Sequence, residues 1–296
     1  MNPISKPRAW LLAARPKTLP ASATPVLVGL ALAFHDGAFH FLPALVTLVC
    51  ALLLQIGSNI TNDYFDFMKG ADDENRIGPQ RVTQSGLLQP KTVRRGMVIV
   101  FLAAFLLGLY LVWFSGPVIL LVGVACIFFA VLYTAGPFPL AYIGLGEVFV
   151  FVFFGMVAVC GTYFVQTHTW TLGACVTSLP VAAISTAIIV VNNYRDIDSD
   201  RRAGKKTLAV RMGRNATRIE YAALVFSAYL TPIALFVSGT FSWSILLPLL
   251  TIPLAIRLAQ TMHRTTDGAR LNRALAQTGQ LLLLFGITYA IGMLLP

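Results

Sequence analysis

Long apolar runs alternate with short polar breaks along almost the whole chain. A helix needs about 20 apolar residues to cross the hydrocarbon core of a bilayer. Nine stretches approach that length, at about 19–35, 41–62, 97–114, 118–135, 144–165, 173–194, 219–238, 242–257 and 276–295. The pattern predicts an all-α fold, a polytopic bundle of nine transmembrane helices. Four of the breaks, His35-Asp36-Gly37, Ser115-Gly116-Pro117, the stretch Gln166 to Thr171 and Ser238-Gly239-Thr240, hold no Lys or Arg. The segments at about 63–96 and 195–218 are long and charged, and predict two cytoplasmic loops. The break around Gly136 to Tyr142 is uncharged and says nothing about side. Because the runs follow one another closely, residues 1–296 are expected to form a single membrane domain.

Composition agrees with this reading. Hydrophobic residues make up 57% of the chain and charged ones only 11%, against about 25% charged in a typical soluble protein. A soluble enzyme, a secreted disulfide scaffold and a disordered chain are excluded. The net charge of +10 would suit a nucleic-acid binder, but its placement does not. All 22 Lys and Arg fall within 6–17, 69–95, 195–218 and 257–273, with none between Arg95 and Arg195. Basic residues gathered into alternate loops follow the positive-inside rule. They predict a cytoplasmic N-terminus, a C-terminus outside, and no nucleic-acid partner.

Lys6 and Arg8 ahead of an apolar stretch resemble a signal peptide, but Arg15-Pro16-Lys17 interrupts it, so an uncleaved cytoplasmic end is expected. Cys50, Cys126, Cys160 and Cys175 lie inside apolar runs without metal-ligand spacing, which predicts neither zinc nor a disulfide.

The chemistry concentrates in the two long charged segments. They hold 8 of the 12 acidic residues: Asp63, Asp66, Asp72, Asp73 and Glu74, then Asp196, Asp198 and Asp200. If the second span stays helical, Asn59, Asn62, Asp63 and Asp66 form one stripe, extended a turn deeper by Gln55. Asn192, Asp196 and Asp200 form another. The two begin alike, and Asp66 and Asp196 stand 130 residues apart, a weak internal repeat. Ionisable groups at the mouth of an apolar span are costly and mark function. Stacked carboxylates repel unless a positive charge lies between them. All-oxygen donors favour Mg²⁺, which binds through one or two carboxylates plus substrate phosphates.

Cations flank both stripes: Arg76 and Arg81 beside the first, and Arg195, Arg201, Arg202, Lys205 and Lys206 around the second. Arg and Lys in that setting suit phosphate oxygens. A polyphosphate site opening onto a lipid-bathed bundle fits a charged head with a long apolar tail, such as a polyprenyl diphosphate. Ionisation of an allylic diphosphate leaves a carbocation, and Tyr64, Phe65, Tyr133, Phe138 and Tyr194 are candidates for its aromatic wall.

Asn59-x-x-Asn62-Asp63-x-x-Asp66 with Asp72 following, together with Asp196-x-x-x-Asp200, resembles the two aspartate motifs of the UbiA superfamily of intramembrane prenyltransferases. The resemblance covers essentially the whole chain. It implies a helical bundle around a central cavity and Mg²⁺-dependent prenyl transfer with release of diphosphate. Asn59, Asp63, Asp66, Asp72, Asp196 and Asp200 would then serve the metal, and Asn62 would act with Asp66 and Asp196.

Arg15-Pro-Lys-Thr-Leu-Pro20, Gly70-Ala-Asp72, Tyr133-Thr-Ala-Gly-Pro137-Phe-Pro-Leu, Gly144-Leu-Gly-Glu147 and Asn192-Asn-Tyr-Arg-Asp-Ile-Asp198 resemble the menaquinone-pathway branch. That branch prenylates 1,4-dihydroxy-2-naphthoate with loss of CO₂, giving demethylmenaquinol, and the resemblance places Glu147 near the acceptor. It implies an enzyme of the bacterial inner membrane with its active site facing the cytoplasm. Members acting on 4-hydroxybenzoate often carry Tyr-x-x-Lys in this region. Here Gly136 stands where the lysine would be, which weakens the benzoate reading and leaves open which cation meets the acceptor's carboxylate. A sibling enzyme for 4-hydroxybenzoate, homogentisate, haem or a glycerol phosphate is one alternative, and a carboxylate-based secondary transporter is another. A phosphatidyltransferase would need a compact Asp-x-x-Asp-Gly-x-x-Ala-Arg pattern, which the chain lacks. Sequence alone sets neither the prenyl chain length nor the oligomeric state.

Overall fold

The computed structural model describes residues 4–70, 78 and 80–296. Among them there are helices and turns but no strand. The chain opens with a short helix α1 (Lys6–Ala14), which breaks at Arg15 in the left-handed region. Pro16 and Pro20 lack backbone N–H groups and cannot continue a helix from within, so α2 (Pro20–His35) starts at an angle of 51° to the preceding segment. Then follow α3 (Phe41–Met68), α4 (Pro90–Ser115) and the shorter α5 (Val118–Leu132). α6 (Gly146–Thr167) contains a wider π-helical turn at Phe151–Val157. α7 (Leu172–Arg202), α8 (Leu208–Val237), α9 (Trp243–Arg264) and α10 (Gly268–Leu294) complete the bundle.

Seven of these helices are long and apolar enough to cross a membrane, or eight if the bent pair Lys6–Thr18 and Pro20–His35 counts as one span. α5 is apolar throughout but has only 15 residues. The protein is therefore an integral membrane protein, although helix length alone does not reach the expected nine spans.

Of the two segments expected as loops, the second is largely helical and the first is helical at both its ends. α3 runs on to Met68, α4 begins at Pro90, α7 reaches Arg202 and α8 starts at Leu208. An apolar run ends where charge begins, but backbone hydrogen bonding does not have to stop there.

α7 is the central helix, with 72% of its most apolar stretch buried, against 17% in α4. Its small residues Ala182, Ala183 and Ala187 are buried. A Cβ placed on Gly155 of α6 would meet the Ala182 backbone at 2.3 Å, so the two helices touch almost main chain to main chain. Such close approach of small residues drives helix association in a bilayer, where the hydrophobic effect between helices is lost. α1 lies against α3, burying Ala9 and Ala13 beside Ile60. These contacts hold the carboxylate-bearing ends of α3 and α7 at the same end of the bundle.

Candidate functional site

A cavity of about 460 Å³ runs between α3, α4, α5, α6 and α7, within the range of small-molecule sites. One end is polar and the remainder apolar. Asn59, Asn62 and Asp66 of α3, Asp196 and Asp200 of α7, and Tyr133 all line it, with Arg81 and Lys205. The structure thus brings both stripes, Asp63 excepted, and a cation from each long connection, to one space.

Each carboxylate is held. Asp66 Oδ2 accepts from Arg81 at 2.7 Å, and its Oδ1 accepts from the Tyr142 hydroxyl at 2.7 Å. Asp196 is gripped by the guanidinium of its own neighbour: Arg195 Nε and Nη2 reach its two oxygens at 2.7 and 2.5 Å. The same guanidinium donates to Asn192 Oδ1 at 2.9 Å and Asn272 Oδ1 at 2.7 Å. Arg195 is 4% exposed and does not line the cavity. It orients Asp196 and is not placed to meet a substrate. Lys205 approaches Asp200 at 3.6 Å and also stands 4.5 Å over the Tyr142 ring.

Asn62 accepts from the Thr134 hydroxyl. Asn59 donates to Ala14 O and Thr18 Oγ1, both at 2.9 Å. These bonds tie α3 to the connection after α5 and to the break after α1.

The connection after α5 closes over this end. Lys69 donates to Thr134 O at 2.6 Å and Gly136 O at 3.1 Å. Burial lowers the Lys69 pKa from its usual value; the charge on Asp66 opposes this and that on Lys205 adds to it. Tyr142 O accepts from Lys206 N at 2.7 Å, and Arg211 donates to Ile143 O at 2.9 Å. Gly144 is required here: its φ is +81° and a Cβ would sit 3.0 Å from Lys206 O.

Other expected residues go elsewhere. Asp63 is 1% exposed and accepts from the backbone N–H groups of Val82 and Thr83 at 2.9 and 3.0 Å. It anchors the segment carrying Arg81 and does not line the cavity. Tyr64 packs against the buried cluster that contains Ala9, Val82 and Leu88, and Phe138 is 71% exposed. Tyr194 is fully buried on the far side of α7, where Arg218 Nε donates to its hydroxyl at 2.8 Å. Arg201 and Lys206 are exposed outside the cavity lining. Glu147 accepts from Asn193 Nδ2 at 2.7 Å, and its own side chain does not line the cavity, although Asn193 does. Asp72 lies outside the described residues, as do Asp73, Glu74 and Arg76.

Sequence reasoning missed Tyr142, whose flanking motifs around Tyr133 and Gly144 were the available signal. It also passed over Arg15 and Thr18, which line the cavity from within the Arg15 to Pro20 motif.

No group of three or more His, Cys, Asp and Glu side chains among the described residues forms a metal cage by itself. The donors facing the cavity are carboxylate and amide oxygens, the chemistry of Mg²⁺, which takes few protein ligands and completes its shell with water and phosphate oxygens. A carboxylate has about four acceptor positions, so the two bonds that each of Asp66 and Asp196 accepts leave room for a cation. The residues present fit such an ion.

The model of the UbiA prenyltransferase family matches residues 22–289. The chain belongs to this family. Among its UbiA relatives, the 1,4-dihydroxy-2-naphthoate octaprenyltransferase of Escherichia coli is 37% identical, over 99% of this chain and 97% of that one. The protein of the same name from Bacillus subtilis is 32% identical over 97% and 92%. UbiA prenyltransferase domain-containing protein 1 of Danio rerio is 34% identical over 98% and 85%.

Among solved UbiA homologues, the apo protein of Aeropyrum pernix superimposes with a TM-score of 0.72 at 14% identity, covering 93% of this chain and 97% of the other. The Archaeoglobus fulgidus homologue bound to GPP and Mg²⁺ gives 0.68 at 15% identity, over 97% and 99%. At such identities the likeness is one of fold.

Proposed function

We propose that this protein is a prenyltransferase that moves a polyprenyl chain from its diphosphate to 1,4-dihydroxy-2-naphthoate, releasing diphosphate and CO₂ and giving demethylmenaquinol. The observation that carries the reading is the two-ended cavity. Carboxylates of both motifs, Arg81 and Lys205 gather at one end, and an apolar bore continues behind them. Relatives named for this reaction at 32–37% identity over nearly the whole chain support the acceptor.

The chain's own residues set the stage for ionisation. Arg81 and Lys205 supply positive charge for the diphosphate, while Asp66 and Asp196 are held in fixed orientation by Tyr142, Arg81 and Arg195. Mg²⁺, when bound among these oxygens, neutralises charge on the leaving diphosphate. The allylic C–O bond breaks with its electron pair going to the diphosphate. Tyr133 offers an aromatic face to the carbocation, and the apolar walls exclude water that would otherwise capture it. The ring carbon that bears the carboxylate attacks, forming the new C–C bond. CO₂ then leaves, and the pair that held it restores the aromatic ring, so no base is needed. Of the cations flanking the two motifs, Arg81 and Lys205 line the cavity and could meet the acceptor's carboxylate, whereas Arg195 does not line it.

The same reading counts α2 and α5 as spans, giving nine in a single domain, with the N-terminus and the carboxylate end on the cytoplasmic side of a bacterial inner membrane and the C-terminus outside. The clustering of basic residues supports that orientation.

The test is incubation of purified protein with Mg²⁺, a polyprenyl diphosphate and a panel of aromatic acids, with products identified by mass. Consumption of the naphthoate with release of CO₂ is expected, and 4-hydroxybenzoate should react poorly. Preference for 4-hydroxybenzoate, or a product that keeps its carboxyl group, overturns the assignment.

A further inference from the structure

Glycines inside a helix cost stability relative to alanine, so each asks for a reason. In most helical glycines of this protein the reason is contact. A Cβ on Gly57 would meet the Phe101 ring at 2.6 Å, on Gly286 Thr24 at 2.1 Å, and on Gly292 the Ser244 carbonyl at 2.5 Å. Gly108, Gly123 and Gly161 differ. A Cβ on any of them would meet nothing within 4 Å, none has a positive φ, and all three line the cavity. Neither packing nor backbone conformation calls for glycine there. Open space does.

The three lie on three different helices at one level. Gly108 stands seven residues before the end of α4 at Ser115, Gly123 five after the start of α5 at Val118, and Gly161 six before the end of α6 at Thr167. At 1.5 Å per residue that is about 7 to 11 Å from the end of each helix. Those ends lie together, since Ser115 Oγ donates to Val165 O at 3.0 Å. They are opposite the carboxylates: on α3, which also lines the cavity at Thr47, about 28 Å of helix rise separates Thr47 from Asp66. The bore therefore runs most of the bundle's depth and stays wide at its far end because three side chains are absent. A further feature of the bore, nearer its middle on α7, points to an unsaturated occupant. Ser185 of α7, 2% exposed and lining the cavity, has a hydroxyl with no hydrogen-bond partner. An isoprenoid chain carries π density that a hydroxyl can face, which a saturated chain lacks.

We infer that Gly108, Gly123 and Gly161 set the length of prenyl chain the enzyme accepts, by keeping open the far part of the bore through which the distal isoprene units pass. The inference rests on the prenyl-transfer reading and adds the residues that decide donor size. Short donors end before this level and do not sense it; long donors must pass it.

The test uses the full chain in detergent micelles with Gly123→Ala, Gly123→Val and Gly123→Leu, and the same series at Gly108. Each variant is measured with geranyl and octaprenyl diphosphate as donors. In the Leu variants kcat/KM for the octaprenyl donor should fall at least about 10-fold relative to the geranyl donor, and the discrimination should grow from Ala to Val to Leu. A parallel loss for both donors, or none for either, overturns the inference. Binding of the two diphosphates, read by thermal shift without acceptor, should show the same discrimination. If the unaltered protein fails on the naphthoate while this binding pattern holds, the acceptor reading has failed and the bore assignment stands.

Discussion

The Tyr142 hydroxyl donates to Oδ1 of Asp66 at 2.7 Å, while the face of the same ring lies 4.5 Å from the ammonium of Lys205 and 5.0 Å from that of Lys69. One uncharged side chain thereby links the first aspartate motif to the cation that accompanies the second. Its hydroxyl and its ring have separable effects. Tyr142→Phe removes a hydrogen bond to a charged acceptor, about 1.5–3 kcal/mol, and should lower kcat/KM by about 10- to 100-fold. Tyr142→Ala should lower it further, because Lys205 also loses its platform. Equal activity of the Phe variant and the unaltered enzyme would remove Tyr142 from the site.

Asp63 and Asp66 are separated by less than one helical turn, yet their substitutions should be read by different instruments. Asp66→Ala and Asp196→Ala are expected to cost at least about 10² in turnover with Mg²⁺ present, the scale of one strong transition-state contact. Asp63→Ala strands two buried backbone donors, at about 1–3 kcal/mol each, and should appear chiefly as a lower Tm. A 10²-fold loss of turnover with unchanged Tm would move Asp63 from anchor to ligand.

Glu147 holds Asn193, which lines the cavity, without lining it itself. Glu147→Gln keeps an oxygen to accept that bond, so its turnover should stay within about threefold of the unaltered enzyme. Glu147→Ala should lose about 10-fold, the scale of one such hydrogen bond. A collapse of activity in the Gln variant, measured with saturating naphthoate, would place the carboxylate on the acceptor.

Topology is open to a direct test. Cysteines introduced at Ser199 and Ser238 should react with membrane-impermeant maleimide on opposite sides, with position 238 labelled in intact cells and position 199 only after permeabilisation. Labelling of position 199 from outside would reverse the orientation drawn from the basic clusters.

Helical arithmetic made the carboxylate site readable from sequence. Asn59, Asn62, Asp66, Asp196 and Asp200 do share one cavity, because their spacing fixes the face of each helix they occupy. Applied consistently, the same arithmetic turns Tyr194 about 200° away from Asn192, and the structure buries it on that far face. The spacing could not separate Asp63 from Asp66, since periodicity gives a face and not the neighbour that covers each edge of it. That neighbour is the Val82 and Thr83 backbone. Tyr142 and Phe138 lie in an irregular connection where no period applies, so the flanking motifs marked the segment but not that one side chain turns inward and the other outward.

The bonds at the two motifs span very different lengths of chain. Asp66 with Arg81, and Asp63 with Val82 and Thr83, join residues 15 to 20 positions apart. Tyr142 with Asp66 spans 76 positions, and Arg195 with Asn272 spans 77. Contacts close in sequence carry a small loop-closure cost and can form early. As the chain emerges from the ribosome, the first carboxylate can be locked to its arginine before α5 has been made. Its bond to Tyr142 waits for the connection after α5. The guanidinium that holds Asp196 gains Asn272 only when α10 arrives, so a protein cut short before that helix would leave Arg195 short of one acceptor.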